Sequence, residues 1–171
     1  MVPEVGFVPT AWHSTKGWIT EGIWYGSTVL TNMFYLPNSN YPYIICYLEH
    51  ITFDPSTTAI GKSAFCNLRT LSSISFSPNI TLIDQYAFSN CQSLSNIVLP
   101  SGLITLNSEA FGSCNNLTTV TFLGTPVNLH VSAFYACSNL TTINVPWVEG
   151  EVSGAPWGAT NATINYNYTP S

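Results

Sequence analysis

Apolar residues recur along most of this chain at a fixed step of 23 positions. An Ala-Phe pair marks each step, and four further apolar columns keep the same frame. The pairs are Ala64-Phe65, Ala87-Phe88, Ala110-Phe111 and Ala133-Phe134, and the columns begin at Ile60, Leu71, Ile74 and Phe76. A unit of this size cannot bury its own apolar face, so it stacks on copies of itself. The pattern therefore predicts a repeat solenoid.

Two kinds of local structure alternate within each unit. The Leu-x-x-Ile-x-Phe part places apolar and polar residues in alternation, which is the period of a short strand. The Ala-Phe part has apolar residues at steps of three to five and is too short for a stable helix of several turns. We therefore expect 23-residue coils with short parallel strands on one face and short helical or 3₁₀ turns on the other.

The repeat frame divides the chain into three parts. Counting back by one period places Ile51 and Phe53 in an incomplete first coil, and counting forward places Trp157 below Phe134. We expect an aromatic N-terminal cap or attachment segment at residues 1–47, leucine-rich repeats at 48–146 and a C-terminal cap at 147–171.

The repeat x-x-Ile-Gly-x-x-Ala-Phe-x-x-Cys-x-x-Leu-x-x-Ile-x-Phe resembles the BspA-like leucine-rich repeat family of bacterial surface proteins. The match is closest at residues 60–65, 86–91 and 110–114, and it covers roughly residues 48–146. Residues 145–164 look like the cap that closes such arrays in gut bacteria and their phages. The resemblance implies a leucine-rich repeat solenoid and a role in adhesion, host-factor binding or virion decoration.

The chain carries few charges. Asp, Glu, Lys and Arg make up 6% of the residues, and Glu109 is the sole one of them between Asp84 and Glu149. Three basic residues and a net charge of −5 exclude the basic surface that nucleic-acid binding needs. A surface this uncharged favours self-association inside a cell, and it is better tolerated in an assembly or outside cells.

The sequence predicts no enzyme, no cofactor and no metal site. His13, His50 and His130 are isolated from one another, and no nucleophile elbow, phosphate loop or Cys-x-x-Cys occurs. The best local candidate for a polar site is His50 with Asp54, at the outward positions of the first strand. A solvated strand end is the alternative interpretation of this pair.

Three cysteines stand in one column of the repeat. Cys91, Cys114 and Cys137 take the position that Leu68 occupies in the first unit. Because a position that accepts Cys or Leu is apolar, we expect buried free thiols there. Neighbouring coils also bring such residues within disulfide range, so one bridge is the alternative.

The outward positions of the predicted strands form a polar face. With strands about 4.8 Å apart, their hydroxyl and amide groups can hydrogen-bond sugars or a partner's backbone. The alternative is that Ser and Thr simply suit outward strand positions. The candidate ligand-binding residues are His50, Thr52, Asp54, Ser73, Ser75, Asn96, Thr119, Thr121, Thr142 and Asn144.

Residues 1–47 lie outside the repeat frame and carry ten aromatic side chains. One interpretation is a cap, because an open solenoid end exposes its core and its strand edges. The other is an attachment segment that packs against another chain, since exposed aromatic clusters mark interfaces. The candidate attachment residues are Trp12, Trp18, Trp24 and Tyr25.

Two functional classes fit these observations. Residues 1–20 lack the basic start and the apolar run of a secretion signal, and no stretch reaches the roughly 20 apolar residues of a membrane span. We therefore expect a phage virion accessory protein, such as a head fibre, decoration or receptor-binding protein, attached to other virion proteins by its N-terminal segment. The alternative is a bacterial cell-surface or secreted adhesin that binds host proteins or glycans. A structural spacer is a third option, and the sequence leaves open whether the chain is a homo-oligomer.

Overall fold

The computed structural model describes residues 6–9, 21–25, 28–29 and 49–170 of the chain. These residues form short strands joined by turns, and they include no helix. In chain order the strands are β1 (Gly6–Pro9), β2 (Glu21–Tyr25), β3 (Thr28–Val29), β4 (His50–Phe53), β5 (Ala59–Ile60), β6 (Ser73–Ser75), β7 (Leu82–Ile83), β8 (Asn96–Leu99), β9 (Thr105–Leu106), β10 (Thr119–Phe122), β11 (Asn128–Leu129), β12 (Thr142–Asn144) and β13 (Thr163–Asn165).

Each coil places one strand on the front side of the molecule and the next on the back side. The front side has two four-stranded sheets, in the orders β1-β2-β4-β6 and β8-β10-β12-β13. The back sheet has five two-residue strands in the order β3-β5-β7-β9-β11. All neighbours pair in parallel except β1 and β2. The chain is therefore a β-solenoid with a core between the two sides.

The strand register follows the repeat of the sequence. On the front side Val120 lies opposite Ile97 and Ile143, one coil before and one coil after it. On the back side Leu106 lies between Ile83 and Leu129 in the same way. Each apolar column therefore becomes a row of stacked side chains, which confirms the predicted solenoid.

Aromatic rings run through the core along the solenoid axis. Phe65, Phe88, Phe111 and Phe134 are fully buried, and successive rings stack with centroids 5.3, 5.2 and 6.0 Å apart. At the C-terminal end Trp147 and Trp157 pack edge-on to each other and contact Phe122. Trp157 takes the position below Phe134 that the repeat predicts, and its carbonyl accepts the Phe134 N–H at 2.9 Å.

The turns that follow the back strands differ from the expected helical or 3₁₀ turns. In one coil the Ala87 N–H donates to Asp84 and the Ser89 N–H donates to Tyr86, whereas the Phe88 N–H between them donates to Ala110 of the next coil. Tyr86 and Asn90 have φ of 58° and 62°. Left-handed residues interrupt a right-handed helix. The expectation is therefore corrected: these segments are paired turns whose alternate N–H groups bind the neighbouring coil.

The two sides continue into the N-terminal region. The backbone of β2 pairs with β4, with Glu21 opposite His50 and Trp24 opposite Phe53, and β3 pairs with β5. A coil with a strand on each side therefore precedes β4, at a spacing of 29 residues between Glu21 and His50. The division of the chain at residue 47 stays a prediction.

Candidate functional site

The ten candidate residues of the polar face differ in their exposure. Thr52, Ser73, Ser75 and Asn96 are exposed, and His50, Asp54, Thr119, Thr121 and Thr142 are partly exposed. Asn144 is buried, with 8% of its surface accessible. The first nine side chains are therefore reachable from the front, and Asn144 serves mainly its neighbours.

Hydrogen bonds between coils hold part of this face in place. The His50 Nδ1 and Ser73 Oγ atoms lie 2.6 Å apart. At the other end Asn144 Nδ2 donates to Thr121 Oγ1 at 3.1 Å, and Asn165 Nδ2 donates to Asn144 Oδ1 at 2.8 Å. The position of Asn165 was missed from the sequence, because the last coil is two residues shorter than the repeat, with Ile164 opposite Ile143.

The side chains of His50 and Asp54, the candidate polar pair, form hydrogen bonds with different partners. The Asp54 carboxylate accepts hydrogen bonds from the Ser56 Oγ–H at 2.6 Å and the Ser56 N–H at 2.9 Å. These bonds hold the pKa of Asp54 below its ordinary value. His50 bonds to Ser73 instead. In the described parts of the chain no three His, Cys, Asp or Glu residues are grouped to hold a metal ion.

The cysteine column is a row of buried thiols, as the sequence predicts. Cys91, Cys114 and Cys137 are free and buried, and their S–H groups donate to the carbonyls of Phe65, Phe88 and Phe111 at 3.2, 3.2 and 2.9 Å. Burial raises the pKa of Cys91. The neighbouring Cys137 thiol, together with burial, raises the pKa of Cys114 well above its ordinary value. Cys46 lies outside the described residues.

The front side is interrupted between β6 and β8. These strands belong to two different sheets, although they are neighbours in the stack. One cause is Pro100, which takes the position of Leu123 in the repeat. The Leu123 N–H donates to the Leu99 carbonyl of the preceding coil at 3.1 Å. Proline has no N–H, so Pro100 cannot donate to the equivalent carbonyl, that of Phe76. Ile74 and Phe76 are only partly buried at this seam.

An apolar groove follows this interruption. The front groove has a volume of about 370 Å³, and its lining residues are Ile74, Ser75, Phe76, Pro78, Val98, Pro100, Ser101 and Leu123. Val98 and Leu123 are 50% and 42% exposed. Val98 stands at an outward position where other coils have Ser, Thr or Asn, and Leu123 stands one residue after its strand, at the position that Pro100 takes in the coil before. The groove was not predicted from the sequence, although the apolar type of Val98 and Leu123, together with Pro100 after the strand, was a signal that could have indicated it.

Two of the four candidate attachment residues lie outside the described parts of the chain. Trp12 and Trp18 fall outside them. Trp24 and Tyr25 belong to β2, where the backbone of Trp24 lies opposite Phe7 on one side and Phe53 on the other. Attachment through this region stays a prediction.

Comparison with known proteins identifies the repeat. Residues 37–151 match, in six copies, the family described as BspA type leucine rich repeat region. The chain belongs to this family. No curated protein matches this BspA-type chain in sequence.

No helix long and apolar enough to cross a membrane occurs among its described residues.

Solved structures of bacterial leucine-rich repeat proteins share the fold. The T. pallidum leucine rich repeat protein is 18% identical, with a TM-score of 0.59 over 98% of this chain and 81% of its own. A leucine-rich repeat protein from Eubacterium ventriosum is 20% identical, with a TM-score of 0.53 over 60% of this chain and 28% of its own. The pneumococcal vaccine antigen PcpA is 16% identical, with a TM-score of 0.54 over 73% of this chain and 36% of its own. The BspA-type chain thus spans about a third or less of two of these proteins.

Proposed function

We propose that this BspA-type chain is a non-enzymatic recognition module that binds another protein through its front side. The front groove takes an apolar or aromatic side chain of the partner, and the surrounding hydroxyl and amide groups bond its backbone. The observation that carries this proposal is the exposure of Ile74, Phe76, Val98 and Leu123 together on a side that is otherwise polar.

The composition of this side matches the anatomy of a protein interface. Interfaces combine an apolar centre with a polar rim, and a few buried aromatic or aliphatic anchors supply most of the affinity. Fully burying one such side chain contributes about 1.5 to 3 kcal/mol. The rim here consists of neutral groups such as Ser75, Ser101 and Thr121. Binding should therefore change little with salt concentration.

We propose the bacterial cell surface, or secretion, as the setting. Membership of the BspA-type family favours it, since the resemblance implies bacterial surface proteins. The low charge of the chain suits a protein exposed outside cells as well as it suits a protein held in an assembly. The virion setting that the sequence led us to expect finds no support in the comparisons.

An array of extracellular proteins and glycans, probed with the purified chain, tests the recognition proposal. The test variant is Val98→Asp with Leu123→Asp, which places two charges in the front groove. The matched control is Val131→Asp with Tyr135→Asp, because these residues are 61% and 57% exposed and lie outside the front groove.

We expect bound proteins to lose at least about tenfold in affinity with the groove variant and to keep their affinity with the control. Equal loss in both variants would show that the front groove is not the site. Binding confined to glycans would overturn the choice of a protein partner.

A further inference from the structure

The back sheet ends at β11, whose outer edge carries unpaired backbone hydrogen-bonding groups. In the two preceding coils the residue before the back strand accepts a hydrogen bond from the coil that follows: the Ile104 N–H donates to the Thr81 carbonyl at 2.9 Å, and the Val127 N–H donates to the Ile104 carbonyl at 2.9 Å. Val127 is the equivalent residue of the last such coil. No N–H of the described chain donates to its carbonyl, because β11 has no strand on its outer side.

A second carbonyl repeats this pattern. Ile83 accepts the Asn107 N–H at 3.0 Å, and Leu106 accepts the His130 N–H at 3.0 Å. Leu129 is the next residue in this row, opposite Leu106. In a parallel strand the N–H and C=O of one residue point to the same neighbouring strand, and those of the next residue point to the opposite side. Because the His130 N–H points toward β9, the N–H and C=O of Leu129 both point away from it. Three backbone groups along this edge, the Val127 C=O and the Leu129 N–H and C=O, therefore lack a protein partner among the described residues.

These groups border a groove. The end groove has a volume of about 540 Å³, and it lies between residues 125–130 on one wall and residues 151–153 on the other. Leu129 and Val152 both line it, so the C-terminal part of the chain leaves a space where another back strand would stand. Val127 beside it is 78% exposed.

We propose that the end groove binds an extended polypeptide segment of a partner protein, which pairs with β11 as a further strand of the back sheet. Unpaired N–H and C=O groups at a sheet edge are a template for such strand addition. A glycan does not present donors and acceptors at the alternating spacing of a strand. A polypeptide does, and every earlier coil of this chain shows the pairing it would adopt.

The lining of the end groove restricts the segment that fits. Pro126, Leu129 and Val152 are apolar, so the segment should carry an apolar side chain toward them. Glu151 is the sole Asp, Glu, Lys or Arg among the lining residues. An uncharged segment, or one with a single basic residue, is therefore favoured over an acidic one.

A synthetic peptide with the sequence of residues 126–132, acetylated and amidated, serves as the probe. This stretch contains β11, which pairs with β9 in the folded chain as the proposed partner would pair with β11. We expect titration of the peptide into the full chain to shift the backbone resonances of residues 127–129 and to slow hydrogen exchange of the Leu129 amide.

Leu129→Pro removes the outward N–H, and Leu129→Ala is its matched control because it loses the same packing but keeps that donor. Leu129 N–H bonds to no described residue, so proline at this edge costs no hydrogen bond of the fold. We expect the proline variant to bind the peptide about three to ten times more weakly than the alanine variant. If the proline variant fails to fold, the exchange of Leu129 in the unmodified chain decides alone.

Two results would overturn the proposal. One is a peptide that leaves residues 127–129 unchanged at millimolar concentration. The other is self-association of the chain alone, seen by sedimentation and lost in Leu129→Pro but kept in Leu129→Ala, since this edge would then belong to a second copy.

Discussion

The ring of Phe88 stacks on the ring of Phe111, with centroids 5.2 Å apart and planes 9° from parallel. On its other side it stacks on Phe65 at 5.3 Å. Because Phe88 is fully buried within this row, we expect Phe88→Ala to lower the free energy of unfolding by about 3 to 5 kcal/mol. Urea denaturation followed by circular dichroism measures the change.

Tyr135→Ala is the control for this substitution. It removes an aromatic ring of similar size that is 57% exposed, so we expect a change within about 0.5 kcal/mol. Equal losses in the two variants would mean that the ring row does not stabilise the solenoid.

Gly124 lies where the backbone of two coils meets. A Cβ at this position would collide with the carbonyl oxygen of Ser101. We expect Gly124→Ala to destabilise the chain by about 1 to 3 kcal/mol, as overpacking does. Thr125→Ala, at the exposed neighbouring position, should shift the urea midpoint little. A Gly124→Ala protein as stable as the parent would contradict the close approach of these coils.

The Asp54 carboxyl should titrate below an ordinary aspartate. Its pKa is lowered by the hydrogen bond from the Ser56 hydroxyl and then by that from the Ser56 N–H. We expect Ser56→Ala to raise this pKa in a carbon-13 NMR titration, whereas Ser75→Ala leaves it in place. A pKa unchanged by Ser56→Ala would rule out the hydroxyl as its cause.

The direction of this shift fixes its effect on stability. Since the folded pKa lies below the unfolded one, the contribution is complete above the unfolded pKa and is lost as the pH falls through the folded pKa. Asp54 lies at the surface and is partly exposed, so solvent screens the interaction and its effect on the free energy of unfolding is small.

The cysteines should differ in reactivity. Cys66 is partly exposed, whereas Cys91, Cys114 and Cys137 are buried. We expect iodoacetamide at pH 8 to label Cys66 in the folded chain and to reach the other three after unfolding, as peptide mass spectrometry can follow. Burial also raises the pKa of Cys66, so its labelling should be slower than that of an unfolded cysteine. Labelling of Cys91 as fast as Cys66 would contradict the buried column.

The repeat frame predicts the parts of the fold that depend on burial. Columns such as Ile97, Val120 and Ile143 are read from the sequence because a one-residue slip would expose them. The back strands have two residues each, too short for a pattern of alternation. The turns depend on positive φ angles at Tyr86 and Glu109. Tyr and Glu rarely adopt positive φ, so the sequence does not predict these turns.

The two grooves were harder to predict from the sequence than the strands, because they depend on features that the coils do not share. The outward polar residues follow from strand alternation. The front groove arises where the pairing of β6 with β8 is interrupted beside Pro100, and only Val98, Pro100 and Leu123 signal it in the sequence. The end groove depends on where the last coil leaves the frame. Repetition predicts what coils share, and both grooves arise where coils differ.

The location of the chain in a culture of its source tests most directly whether it is a surface-exposed bacterial recognition module. Cell envelopes, medium and phage particles are separated on a density gradient, intact cells are treated with protease, and peptides of the chain are counted by mass spectrometry. We predict enrichment in envelopes or medium, with the envelope-bound chain removed by protease on intact cells. Co-migration with phage particles at a fixed stoichiometry, or protection inside cells, would contradict the proposal.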